Sequence, residues 1–301
     1  MTASRDLTGK PLQGALPVNA LFVLGVAAVF SLVSICSRLA YDSGSNALTV
    51  VALRTPFVGI ALWVYLRARR VSWRLPPVER NRALALGALL AFSTLVLNKA
   101  LEIIPVSIAI LIFYTYPLLT SMASWVTRTE RFSLRVAATL VIAFSGLALA
   151  LHVKGGPLNA TGLVYAFTAA VSWGSLMYLT GRVFRGGDSR PRTLHMMASA
   201  GTLLLLACVI SGDVALPATQ KGWVGFVGVP FIYSVAIIGT MVAVSAIGAM
   251  KTSFYMNFEP VTTILFSALV LEQFMTATQL AGAGLVVVAL LIFRMPAIKT
   301  D

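Results

Sequence analysis

Charge is scarce in this sequence of 301 residues. Only 11% of the side chains are charged, and the acids number ten. A soluble domain carries about a quarter charged residues, so there is too little charge here to clothe a water-facing globule. Cysteine and histidine are scarcer still. Cys36 and Cys208 both fall in apolar runs, where a free thiol acts as a small hydrophobe, which excludes a disulfide framework. With only His152 and His195 besides, no metal-ligand constellation can be assembled, so no metal is expected. No phosphate-binding Walker motif is present, so any driven process must draw on a gradient. No nucleophile with its base and no pair of intramembrane acids is visible, so no catalytic residue and no cofactor is expected and an embedded enzyme is the weaker reading.

What is abundant is apolar: 58% of residues are hydrophobic and the mean hydropathy is +0.88. Ten apolar segments can be marked, each near the length a tilted helix needs to cross a bilayer. They run from Val18 to Ala40, Ala47 to Leu66, Ala83 to Leu101, Val106 to Val126, Leu134 to Leu151, Gly162 to Val183, Leu194 to Ile210, Val224 to Val244, Ala249 to Leu271, and Ala277 to Phe293. The first run is too long for a signal-peptide core and lacks a cleavage site, so it reads as a retained span.

The net charge of +13 is a matter of topology. The cations lie between apolar segments with no polar face beside them to grip a strand, so nucleic acid is not an expected partner. Eighteen of the 23 Lys and Arg fall on one side, including Arg5, Lys10, the Arg67 to Arg82 loop, Arg128, Arg131, Arg135 and Arg182 to Arg192. Such a bias places both termini in the cytoplasm, with membrane lipid as the surrounding partner. Arg54 is the one cation inside a span.

The second half echoes the first. Ile112-Phe-Tyr-Thr-Tyr-Pro117 aligns with Tyr255-Met-Asn-Phe-Glu-Pro260, and a glutamate follows each proline, Glu130 and Glu272. Ala27-Ala-Val-Phe-Ser31 likewise echoes Ala169-Ala-Val-Ser-Trp173. The expected organisation is a tail at 1–17, a five-helix repeat at 18–152, a second at 153–293, and a tail at 294–301. Because five is odd, the second copy must enter from the opposite face, as in many secondary transporters. The expected fold is therefore an all-α integral membrane protein of ten transmembrane helices, two inverted five-helix repeats around a central cavity.

This pattern resembles the EamA-type branch of the drug/metabolite transporter superfamily, and within it looks most like the bacterial aromatic amino acid exporters. The resemblance covers Val18 to Phe293. It implies a secondary transporter that exports a small-molecule substrate, an aromatic or large neutral amino acid, by alternating access; the alternative is a drug or other metabolite exporter of the same fold. A channel or passive structural protein would not need two exchangeable inverted halves.

The residues of interest follow from the cost of polarity in lipid. Glu259 lies ten residues into its span, about 15 Å deep, and is the candidate to respond to protons or to hold a substrate ammonium. Pro117 and Pro260 break backbone hydrogen bonding and are candidate hinges. Tyr114 and Asn257 each stand three residues before their proline. Read as one continuous helix, Ser107, Leu111, Tyr114, Leu118 and Ser121 form a stripe, as do Ser253, Asn257, Pro260 and Ile264. Asn98 follows Thr94 by one turn, and Lys99 beside it either snorkels to the outer surface or offers a cation at an outward mouth. Ser172 and Trp173 in the sixth segment, Phe30 and Ser34 in the first, and Tyr233 in the eighth complete an apolar lining with a few hydroxyls, suited to an aromatic solute. Arg54, two residues before Pro56, is assigned a structural bond to carbonyls or water ahead of the alternative, a contact with substrate. Gly282 and Gly284 permit close helix approach, which leaves monomer and homodimer both open.

Overall fold

The computed structural model describes residues 20–131, 133–151, 159–184, 188–270 and 276–294. Among them every regular element is a helix: α1 (Ala20–Tyr41), α2 (Ala47–Ala68), α3 (Pro77–Ile103), α4 (Val106–Phe113), α5 (Tyr116–Val126), α6 (Leu134–Ala150), α7 (Ala160–Val183), α8 (Ser189–Ser211), α9 (Gln220–Ile247), α10 (Ala249–Tyr255), α11 (Phe258–Val270) and α12 (Ala277–Arg294). The expected tail at 1–17, Lys154, Arg185 and Glu272 lie outside the described residues.

Six single helices, and α4 with α5 taken as one segment from Val106 to Val126, are long and apolar enough to cross a membrane. The apolar α6 and the apolar stretch Ala277–Phe293 are shorter. Large hydrophobes such as Leu21, Ile60, Val141, Val209, Ile210 and Val224 stand exposed on the helix surfaces. In water that surface would be prohibitive; in lipid it costs nothing, and the chain is an integral membrane protein.

Several helices run past the apolar segments that mark them. α3 begins at Pro77, before Ala83, because a proline suits the first helical turn, where its missing N–H is not needed. α8 begins at Ser189, where the Asp188 carboxylate accepts from the Arg190 N–H at 2.9 Å. Asn46, Asn159 and Thr219 cap α2, α7 and α9 in the same manner. Gly212 and Gly248, at positive φ, end α8 and α9.

Each helix has its principal neighbour in the other half of the chain. α1 packs along α9, α3 along α7, α2 along α8, and α6 along α12. Small residues set the separations. A side chain on Gly282 would strike the backbone of Gly146 and Ala150, so Gly282 serves α6–α12 contact within one chain, while Gly284 faces open space. Buried hydroxyls bond across helices too: Ser93 Oγ donates to the Ala169 carbonyl at 3.0 Å. At the cation-rich end Arg192, its side chain only 10% exposed, bonds Glu79 of α3 at 2.9 Å and the Phe184 carbonyl at 3.1 Å.

Two spans are interrupted. α4 stops at Phe113 and α5 starts at Tyr116; α10 stops at Tyr255 and α11 starts at Phe258. The continuous stripe expected from Ser107 to Ser121 is therefore cut at Tyr114, and that from Ser253 to Ile264 at Asn257. The local turn tightens at each break, where i to i−3 bonds replace the i to i−4 ladder.

Candidate functional site

The two breaks are built alike. At the first, the backbone N–H of Thr115 donates to the Ile112 carbonyl at 3.0 Å and its Oγ1 donates to the same oxygen at 2.7 Å. At the second, the N–H of Asn257 donates to the Phe254 carbonyl at 3.1 Å and its Nδ2 to that oxygen at 2.9 Å. A side chain thus holds the end of the first segment in place of the next helical turn. Alignment on the prolines matches Asn257 with Tyr114, but hydrogen bonding matches it with Thr115, because the second break falls one residue further from its proline. Pro117 and Pro260 are both buried, each within the first turn of the segment that follows.

The breaks face one another. Tyr114 sits in the first, and its hydroxyl interacts with the carboxyl of Glu259, just beyond the second. Glu259 is enclosed by protein yet part of its surface remains accessible.

Around Tyr114 the aromatic rings converge. Phe113 contacts Tyr114, Tyr116 and Trp173 with ring centroids 6.0, 5.5 and 5.9 Å apart, and Tyr116 also meets Tyr114 and Trp173 at 5.9 and 6.4 Å. Tilted and edge-on contacts of this kind each stabilise by about 0.5–1.5 kcal/mol. Trp173 is brought here because the next residue, Gly174, lets α5 approach α7: a Cβ there would lie 3.2 Å from the Tyr116 carbonyl. The Thr120 hydroxyl, bonded to the carbonyls of Tyr116 and Gly174, fixes the crossing.

A second aromatic pair lies between α1 and α9. Phe30 meets the edge of Tyr233 at 5.9 Å. The guanidinium of Arg54 stacks over the Tyr233 ring, its carbon 4.3 Å from the centroid. A cation on a ring gains roughly 0.5–2 kcal/mol, most when desolvated. No hydrogen bond to a carbonyl holds Arg54 among the described residues, and its Nε is buried without a protein partner. Among the described residues it forms no ion pair with Glu259, which stands on α11, a neighbour of the α1 that carries Phe30.

Of the residues marked from the sequence, Tyr114, Trp173, Asn257, Glu259, Pro117 and Pro260 belong to this region, with Phe30 and Tyr233 linked to it through Arg54. Ser172 is buried on α7 beside Trp173, and Ser34 is exposed on α1. Asn98 is half-buried with its Nδ2 unpartnered. Lys99 is exposed and pairs with Glu102 at 2.9 Å. Phe113 and Tyr116 were missed. Three rings within four residues ahead of Pro117 were the available signal; what the sequence hides is that α7 brings a fourth ring to them.

The model of the EamA-like transporter family matches this chain twice, over residues 18–152 and 160–295. An "Uncharacterized transporter YvbV" from Bacillus subtilis (strain 168) is 26% identical over 202 residues, a match spanning 63% of this chain and 63% of that protein. A solved crystal structure, 16% identical in sequence, superposes with a TM-score of 0.78 over 91% of this chain and 96% of its own length. That likeness concerns the fold.

Proposed function

This chain belongs to the EamA-like transporter family, and from that premise we propose that it exports aromatic or large neutral amino acids by alternating access. The carrying observation is the meeting of two broken spans at a ring cluster with an accessible acid, Glu259. Broken helices free backbone groups and permit bending, and in lipid they are tolerated only against protein or a wet space. Rings and a few polar groups form the lining that an aromatic solute needs. In this reading Phe30, Ser34, Asn98, Lys99, Tyr114, Ser172, Trp173, Tyr233, Asn257 and Glu259 line the route around a central cavity, and Pro117 and Pro260 are its hinges.

The packing pattern supports two inverted repeats, 18–152 and 153–293. If α1–α6 are matched in order with α7–α12, the α1–α9 contact becomes α7–α3, while α2–α8 and α6–α12 map onto themselves. Such an exchange is what a two-fold relation between the copies produces, and an odd number of spans in each copy favours an axis in the membrane plane. The cation bias supports cytoplasmic termini in a bacterial inner membrane.

The test is a liposome efflux panel of amino acids, nucleobases and drugs, with and without a pH gradient. Saturable movement of aromatic or large neutral amino acids is expected, slowed about two- to tenfold by Trp173→Ala, the worth of one aromatic contact. Movement of drugs or phosphorylated sugars alone would overturn the substrate assignment. A cysteine placed between Arg185 and Arg192 should label only from the cytoplasm; labelling from outside intact cells would overturn the inverted arrangement.

A further inference from the structure

We infer that Arg54 and Glu259 form a two-charge site for a zwitterion, the guanidinium receiving the solute's carboxylate and Glu259 its ammonium, with the aromatic cluster holding the side group between them. This rests on the amino acid reading above and assigns Arg54 a contact with substrate.

A guanidinium is a permanent cation with five N–H donors in a planar fork. Within a membrane span such a group is normally spent on carbonyls or a carboxylate. Arg54 is spent on neither: only the face of its plane is used, against Tyr233, and the donors at its edge bond no group among the described residues. A carboxylate meets that edge with two parallel hydrogen bonds, the strongest use a free fork has.

Phe30 of α1 meets Tyr233, the ring under Arg54, and α1 packs along α11, which carries Glu259, so the two charges flank one helix; among the described residues they close no ion pair. A purely structural pair of opposite charges in low dielectric would be expected to close, because attraction at contact is what offsets desolvation. Two charges held apart, each retaining an unused polar edge, match a solute that brings both opposite charges. Tyr114 stands beside the carboxyl of Glu259 from the first break, and Tyr233 carries the plane of Arg54 from α9. An anion without an ammonium meets repulsion at Glu259, and a cation without a carboxylate meets it at Arg54, so the site selects by exclusion as well as by attraction.

The experiment uses the full-length protein in proteoliposomes, with phenylalanine efflux competed by three probes sharing its ring: phenylalaninamide, phenethylamine and 3-phenylpropionate. In the unsubstituted protein each should compete at least about tenfold more weakly than phenylalanine itself, the usual worth of a lost charge-assisted pair. Arg54→Gln should erase the preference for phenylalanine over phenylalaninamide, and Arg54→Lys should restore part of it. Glu259→Gln should erase the preference over 3-phenylpropionate while keeping that over phenylalaninamide. Equal competition by phenylalaninamide in the unsubstituted protein overturns the inference whether or not any variant folds. Unchanged ratios in well-folded Arg54→Gln or Glu259→Gln also overturn it, leaving amino acid export intact; if the unsubstituted protein moves no amino acid at all, the export reading falls first and this site with it.

Discussion

The break between α4 and α5 and the break between α10 and α11 use one device with different contents. In both, a side chain and its own N–H fasten the carbonyl three residues back, Thr115 to Ile112 and Asn257 to Phe254. What surrounds the device differs. The first break carries rings, Phe113, Tyr114 and Tyr116, whereas the second leads directly into a carboxylate at Glu259. The family model matches both halves, so duplication has supplied the break twice, and divergence has given rings to one copy and a carboxylate to the other.

The largest expected effect separates the prolines. A non-proline residue at 117 would regain an N–H aimed at the Phe113 carbonyl, whereas the Met256 carbonyl facing residue 260 already accepts from the Glu259 N–H at 3.0 Å. Pro117 stands in the first turn of α5, where proline itself costs little, but the buried backbone bond its replacement restores is worth about 0.5–1.5 kcal/mol, so Pro117→Ala should favour closing the first break and slow efflux by up to about tenfold. Pro260→Ala should cost only about two- to threefold, since much of the bond it would restore is already made. Comparable losses, measured as initial efflux rates at equal protein density, would show that the breaks do not differ in this way.

Next come the fastening side chains. Asn257 is buried, and Asn257→Ala both removes its amide bond and leaves a void, for a loss of about 1–3 kcal/mol. Thr115→Val keeps the shape and the backbone bond, so about 0.5–1.5 kcal/mol is expected. Denaturant titration in mixed micelles measures both; a costlier Thr115→Val would reverse the ranking. The smallest effect belongs to Lys99. Its pair with Glu102 is exposed, so Lys99→Ala should change stability by less than about 1 kcal/mol and leave efflux within about twofold. A large loss of efflux would make Lys99 a principal contact of the route instead of a residue at its rim.

Much of this fold can be read before any coordinates. Apolar run lengths mark the helices, and Pro117 and Pro260, with the polar and aromatic residues before them, mark where a span can bend. Proline by itself does not mark a break. Pro56 and Pro230 lie inside α2 and α9, which continue past them, because losing one N–H bends a helix without ending it. A break needs in addition a local donor such as Thr115 or Asn257, and periodicity drawn straight through Ser107 to Ser121 ignores it. Contacts between distant segments were illegible for a different reason. Nothing within α2 says that Arg54 will lie on a ring from α9 instead of on a carbonyl, and nothing within α7 says which rings Trp173 will meet.

The crosswise packing of α1 on α9, α3 on α7, α2 on α8 and α6 on α12 has a consequence for how the molecule holds together. Neither half owns a complete interior, so a fragment ending after α6 would present to lipid the faces and buried hydroxyls that its counterpart should cover. That closure is made by helix against helix across the division after α6. Two separately synthesised fragments, severed there and produced in the same cell, should find each other and reassemble as an obligate pair, while either one made alone should be degraded.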